Sequence, residues 1–277
     1  MKTAWIFTGG AARAVYTAGV VYALSESDLP KPEIIISCSG SIGTSLCYAA
    51  GQKEIIKNVW CKLLSTKRFL SFWRFWKILN ISYLVDEILK KENPLDMERI
   101  RNSSIQMYFP LTKAETGEIV YFSNKDEVDL YEVMRAGCSI PLWTNLLSLK
   151  GIPIKRDYYA DSGPAGRYQV HIQKALGLGA ERIMVFDNWH QADNSKPFFF
   201  SKKFTSLRNS EYRKHQLAYY EQIEHFVAPQ GIELKVFEPK SKLVMSRWNI
   251  DNANANKIFA QGYQELKANL ELENSGK

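Results

Sequence analysis

Hydrophobic positions in this chain fall into short β-branched and aromatic runs separated by helix-length stretches, and that alternation predicts a fold before any chemistry is considered. Residues 3–7 read as a strand, followed by a turn of small residues carrying one arginine, Thr8-Gly9-Gly10-Ala11-Ala12-Arg13-Ala14, and then a helix. A second strand at 33–36 runs into Ser37-Cys38-Ser39-Gly40-Ser41-Ile42-Gly43 and a helix that ends near Ala50-Gly51. Helical stretches at 53–64 and 81–91 follow, then a hairpin of 104–112 and 118–123 through Glu115-Thr116-Gly117, and a helix at 129–136 stopped by Gly137. Residues 152–160 read as one strand ending at Asp161-Ser162-Gly163, with helices expected at 168–178, 210–226 and 252–270 and strands at 181–186 and 232–237. Strands alternating with helices predict an α/β fold, a mostly parallel central sheet with helices on both faces. Without repeats or a low-complexity linker, one domain over 1–272 is expected, with 273–277 frayed.

Composition narrows the class. At 277 residues and 45% hydrophobic, the chain can bury a large core. No apolar run approaches the ~18 residues of a membrane-spanning helix. The four cysteines (Cys38, Cys47, Cys61, Cys138) match no zinc spacing, and no charged n-region with an apolar h-region precedes the first strand, so a reduced, cytoplasmic protein is expected. No acidic loop has calcium-ligand spacing, and neither metal nor cofactor is expected. The net charge of +7 and pI near 9.1 suit a phosphate-rich partner surface.

One stretch has an unusual mixture: Trp60, Phe69, Phe72, Trp73, Phe75 and Trp76 interleave with Lys67, Arg68, Arg74 and Lys77, as on interfacial helices. Phe198, Phe199 and Phe200 with Lys202, Lys203 and Arg208 repeat the theme. Transient contact with a membrane surface is one expectation for both segments. The other is that the aromatics pack over the sheet and the cations are merely solvated. No nucleic-acid module accompanies the mixture, and nucleic acid is not expected as a partner.

The two turns of small residues carry the candidate chemistry. Such turns expose backbone N–H groups, and a helix N-terminus favours developing negative charge. One can supply an oxyanion hole and the other a serine nucleophile, a pairing that points to a serine acyl hydrolase. A nucleophile elbow needs small neighbours two residues either side, and both Ser39 and Ser41 qualify. Ser41 keeps one glycine of the usual G-x-S-x-G pattern, in Gly43, whereas counting from the strand end favours Ser39. Asp161, at a strand end beside small residues, can serve as a base if it is held close and partly desolvated, or can simply cap its own turn. Of His171, His190, His215 and His225, only His190 follows a strand end where a triad histidine belongs. An ordinary Ser-His-Asp esterase or thioesterase is therefore an alternative.

These residues resemble the patatin-like phospholipase family. The resemblance lies in the turn and helix from Gly9-Gly10 through Arg13 to Val20, in the strand, elbow and helix up to Gly51, in Ala136-Gly137-Cys138-Ser139-Ile140-Pro141, and in Asp161-Ser162-Gly163. Leu176-Gly177-Leu178-Gly179-Ala180 extends it, and Gly262-Tyr263 continues it weakly. The resemblance implies a patatin-like three-layer sandwich and a lipid acyl hydrolase, phospholipase A-like or lysophospholipase-like, acting through a Ser/Asp dyad. On that reading Ser39 or Ser41 attacks, Asp161 accepts the proton, and Gly9, Gly10 and Ala11 form the oxyanion and substrate-binding turn. The N–H groups of Gly10 and Ala11 are the donors, and Arg13 orders the turn or meets a phosphate. Ala11, Ala14 and Ser162 stand where the family has glycines, as do Ser37 and Ser41, or Ser39 alone in the other register of the elbow, and the alternative these departures imply is a catalytically weak lipid-binding relative.

Overall fold

The structure, a computed structural model, describes residues 1–74, 77–141, 151–190, 208–244 and 250–275. Eight strands form one sheet: β1 (Thr3–Phe7), β2 (Ile34–Ser37), β3 (Gln106–Lys113), β4 (Ile119–Ser123), β5 (Ile152–Ile154), β6 (Asp157–Ala160), β7 (Arg182–Phe186) and β8 (Glu233–Phe237). The order is β5-β6-β3-β2-β1-β7-β8, with β4 also on β3. Strands β3, β2, β1, β7 and β8 are parallel neighbours, while β4, β5 and β6 add an antiparallel edge. Strand β1 is central, and its register sets Phe7 opposite Ser37 on one side and Phe186 on the other. The loops leaving the carboxyl ends of β1 and β2 are thereby brought side by side, the usual place for a site in an open parallel sheet.

The pleat sorts the buried side chains into two layers. Trp5, Phe7 and Ile35 pack on one face against α1 (Ala14–Leu24), α2 (Ser41–Ala50) and the long C-terminal helix. Ala4, Ile6, Ile34 and Ile36 pack on the other against Ile172 and Ala175, which lie within Ile172–Gly177. Helices α3 (Lys53–Asn58), α4 (Met97–Asn102), α5 (Leu130–Gly137), α6 (Ile172–Gly177), α7 (Ser210–Glu224) and α8 (Asn252–Ser275) are the further α-helices among the described residues, with wider π-helical turns at Val59–Leu63 and Tyr83–Glu92. Helix α8 continues past Leu270 to Ser275, into the segment expected to fray.

One expected strand is corrected. Residues 152–160 form a hairpin, β5 and β6, folded at Lys155-Arg156 with Lys155 at φ +57°. Hydrophobic residues flank both sides of this two-residue turn, so the pattern runs through it and hides the break.

Helices α1 and α8 cross at glycine contacts. A Cβ on Gly19 would lie 2.0 Å from the carbonyl oxygen of Phe259, and one on Gly262 would lie 2.2 Å from that of Tyr16. Neither obstruction is a flexible side chain, so the helices must separate. Gly19→Ala and Gly262→Ala are each expected to cost about 3 kcal/mol in urea unfolding, the upper end of ordinary overpacking. Gly177→Ala, with nothing within 4 Å of the added carbon, is expected to be neutral or slightly stabilising.

Candidate active site

Strand β2 enters α2 through a turn so tight that Ser39 sits at φ +51°. The Cys38 N–H donates to the carbonyl of Phe7 at 3.0 Å, and the Ser41 and Ile42 N–H groups donate to Cys38 and Ser39, each at 3.0 Å. A non-glycine residue held in the left-handed region stores roughly 1–2 kcal/mol, a strain typical of positions fixed for a purpose. The two candidate serines part here. Ser39 lines a cavity, whereas Ser41 is fully buried and its hydroxyl donates to the Thr8 carbonyl at 2.8 Å, bracing the elbow against the end of β1.

The turn after β1 lies against the elbow. The Gly9 N–H is committed to the carbonyl of Gly166 at 2.9 Å, so Gly9 contributes close approach and not a free donor. A Cβ on it would sit 3.0 Å from Ser39 Cβ, and one on Gly10 would fall 2.2 Å from Asn188 Oδ1. Ala11 adopts φ +50°, so the left-handed turn forms without glycine, at a cost in strain. Among the described residues, the Gly10 and Ala11 N–H groups have no backbone acceptor. Arg13 is buried, with its guanidinium 5.1 Å from the Trp189 ring; that of Arg167 lies 4.9 Å from the same ring, and Trp189 Nε1 donates to the Gly9 carbonyl at 3.1 Å. Arg13 thus stands over the ring whose indole N–H holds the Gly9 carbonyl. Arg167 and Trp189 escaped the sequence reading because no local motif joins residues so far apart.

Asp161 follows β6. Its N–H donates to the Ser139 carbonyl at 3.0 Å and its Oδ1 accepts from the Gly163 N–H at 2.8 Å, while Oδ2 is shut away from solvent and has no hydrogen-bond partner among the described residues. Burial pushes this carboxyl up to about 6, against the opposing pull of the nearby Ser39 hydroxyl and the Gly163 N–H. Among side chains it is thus the Ser39 hydroxyl that acts on Asp161, and no histidine is among the groups doing so. His171 is fully buried, with Nε2 3.2 Å from Cys38 Sγ and Nδ1 2.8 Å from the Tyr121 hydroxyl. His215 Nδ1 lies 2.8 Å from the Thr116 carbonyl. His190 follows Trp189 and does not line the cavity. Cys38 beneath the elbow is inert, its thiol raised well above the usual range by burial.

The cavity beside Ser39 measures about 50 Å³ and is lined by Ala11, Ser39, Trp60, Phe69, Leu79, Cys138 and other mainly apolar residues. Trp60 Nε1 donates to Thr44 Oγ1 at 2.9 Å, which leaves the wall without an unsatisfied indole. By the measure in which one water takes 10–15 Å³, the space equals about four waters.

The aromatic and basic segments divide. Trp60 and Phe69 are buried against the core, as the packing expectation held, but Phe72 and Trp73 are 55% and 89% exposed; Phe75 and Trp76 lie outside the described residues. Phe198, Phe199, Phe200, Lys202 and Lys203 also lie outside them, while Arg208 stands 4.7 Å from the Tyr212 ring. Among the described residues, no helix is long and apolar enough to cross a membrane, and no group of three His, Cys, Asp or Glu residues is placed to hold a metal.

Residues 6–168 match the family model of the patatin-like phospholipases, a span that includes both turns and Asp161. No curated protein matches the sequence. Among solved structures, the fold is similar to that of VipD from Legionella pneumophila, with a TM-score of 0.50 and 9% identity over 98% of this chain and 67% of that one. At such identity the likeness concerns the fold alone.

Proposed function

This chain belongs to the patatin-like phospholipase family, and from that premise we propose that it hydrolyses acyl esters of lipids through Ser39 and Asp161. Ser39 Oγ attacks the ester carbonyl as Asp161 takes its proton. The oxyanion that forms is held by the N–H groups of Gly10 and Ala11, and the leaving alcohol recovers the proton from Asp161. Water, deprotonated in turn by Asp161, then releases the acid from Ser39. The acyl chain occupies the apolar cavity, and no histidine is needed.

The observation that carries this reading is a buried carboxyl within reach of the Ser39 hydroxyl, with its Oδ2 shut away from solvent and without a hydrogen-bond partner among the described residues and its pKa pushed up to about 6, high enough to accept a proton and low enough to be ionised at neutral pH. The strained elbow supports it, because relaxed backbone would serve a merely structural serine equally well. Intact-mass labelling with a fluorophosphonate is expected to place one adduct on Ser39, absent in Ser39→Ala, retained in folded Ser41→Ala and slowed at least 100-fold in Asp161→Asn. Absence of any adduct on folded wild-type protein would instead favour a lipid-binding relative without turnover, and an adduct sensitive to His190→Ala would favour a triad enzyme.

A further inference from the structure

The segment after the cavity wall folds into a hairpin that serves two surfaces. Its rungs are Asn80 N–H to the Phe69 carbonyl at 2.8 Å and Ser71 N–H to the Ile78 carbonyl at 3.0 Å, with Leu70 and Leu79 bridged between them. On its inner side Phe69, Leu70 and Leu79 line the cavity that holds Ser39. Its tip carries Phe72 and the almost fully exposed Trp73.

Beside the tip lies a second, polar pocket of about 560 Å³, lined by Arg68, Arg74, Lys77, Asn80, Ser82, Tyr83, Asp86 and Glu87. Its two acids are engaged elsewhere: Asp86 lies 2.7 Å from Arg135 Nη2 and 3.8 Å from Lys90 Nζ, and Glu87 lies 2.9 Å from Lys91 Nζ. The three cations have neutral partners. Arg68 stands 4.5 Å from the Tyr83 ring, Arg74 Nη2 donates to the carbonyls of Lys67 and Phe69 at 3.1 and 3.2 Å, and Lys77 Nζ donates to Ser82 Oγ at 3.3 Å. Among the described residues, none of the three is ion-paired with a carboxylate. Partial burial lowers the pKa of Arg74 and Lys77, and for Lys77 the charges of Arg74 and Arg135 push the same way against Asp86. Crowded, partly desolvated cations without a direct ion pair have the chemistry of an anion site, and an exposed tryptophan at their rim has that of a membrane interface.

We propose that this hairpin docks the protein on anionic bilayers, with Trp73 entering the acyl boundary and Arg68, Arg74 and Lys77 receiving the phosphate of a phospholipid headgroup. The proposal rests on the lipid-hydrolase reading only for its purpose: the docked hairpin also forms the cavity wall, so the acyl site lies next to the bilayer it draws from. A nucleic acid would use the cations but gives no role to an exposed tryptophan that shares a hairpin with an apolar cavity.

The test uses full-length Ser39→Ala protein, so that binding is read without turnover, in co-sedimentation with phosphatidylcholine vesicles and with mixed phosphatidylcholine and phosphatidylserine vesicles. Mixed vesicles are expected to bind about 100-fold more tightly, a preference that salt erodes. Lys77→Gln is expected to weaken that binding about 5-fold and Lys77→Arg to leave it intact, which separates charge from folding. Trp73→Ala, at a position too exposed to matter for folding, is expected to weaken binding to both vesicles at least 10-fold and to remove quenching by brominated lipid. Equal binding to neutral and mixed vesicles, or indifference to both Lys77→Gln and Trp73→Ala, would overturn the proposal. So would binding of an RNA oligonucleotide with no binding of either vesicle. Vesicle binding that persists in a protein found not to label with fluorophosphonate would leave docking standing and remove only the hydrolase reading.

Discussion

Replacing Asp161 with Asn is expected to lower hydrolysis by about 10²–10⁴-fold and, at neutral pH, to make the fold more stable. Both effects come from one feature, a carboxylate held inside the protein with its pKa raised from 3.8 to about 6. In the unfolded chain Asp161 is ionised above about pH 4; in the folded one it holds its proton until about pH 6. Between those values the folded state binds more protons than the unfolded state, so stability falls as pH rises and stays lower above pH 6. A shift of about two units corresponds to about 3 kcal/mol, an upper bound that solvent access to the rest of the residue reduces. Asn has no charge to bury, so Asp161→Asn is expected to gain up to about 2–3 kcal/mol over wild type at pH 8 and little at pH 4. Urea unfolding at the two pH values reads the difference. Wild-type kcat/KM is expected to rise through about pH 6 to a plateau as the base ionises. A gain that is the same at both pH values, or a loss at pH 8, would mean that burial of charge is not what sets this site.

Which parts of this site a sequence can reveal depends on how local each constraint is. The two turns of small residues and the strand before each are legible because the constraint is local: a parallel strand must hand over to a helix within a few residues without side chains in the way. Asp161 is legible for the same reason, as a carboxylate at a strand end. Ser39 and Ser41 are less distinct in the sequence. The glycine pattern and the strand register disagree, and the two residues differ only once folded, with Ser39 at φ +51° and the Ser41 hydroxyl donating to Thr8. Contacts between residues far apart left no trace in any window of sequence. Cys38 with His171 and Tyr121, or Arg13 and Arg167 about Trp189, are brought together by sheet order alone. Composition was equally blind to direction in the aromatic segment, where Phe69 faces the cavity and Trp73 faces water four residues later.

Chain length of the acyl group is expected to govern turnover more strongly than the nature of the leaving alcohol. The wall beside Ser39 is almost wholly apolar, and each methylene moved from water into such a space contributes about 0.8 kcal/mol, close to 4-fold in affinity. The cavity equals about four water volumes, so kcat/KM on p-nitrophenyl esters is expected to climb about 4-fold per methylene from acetate and to level off after about four. The total is about 200-fold. Val59 lies on this wall, on the π-helical turn that follows α3, and is nearly buried at 5% exposure. Val59→Phe is expected to fill much of the space, flattening the climb while changing acetate hydrolysis by less than about 3-fold. The comparison between esters within one variant keeps any loss of folded protein out of the result, since misfolding lowers every substrate alike. If the slope with chain length survives Val59→Phe, the acyl group binds elsewhere, and the cavity beside Ser39 is a packing defect of the fold and not the seat of the substrate.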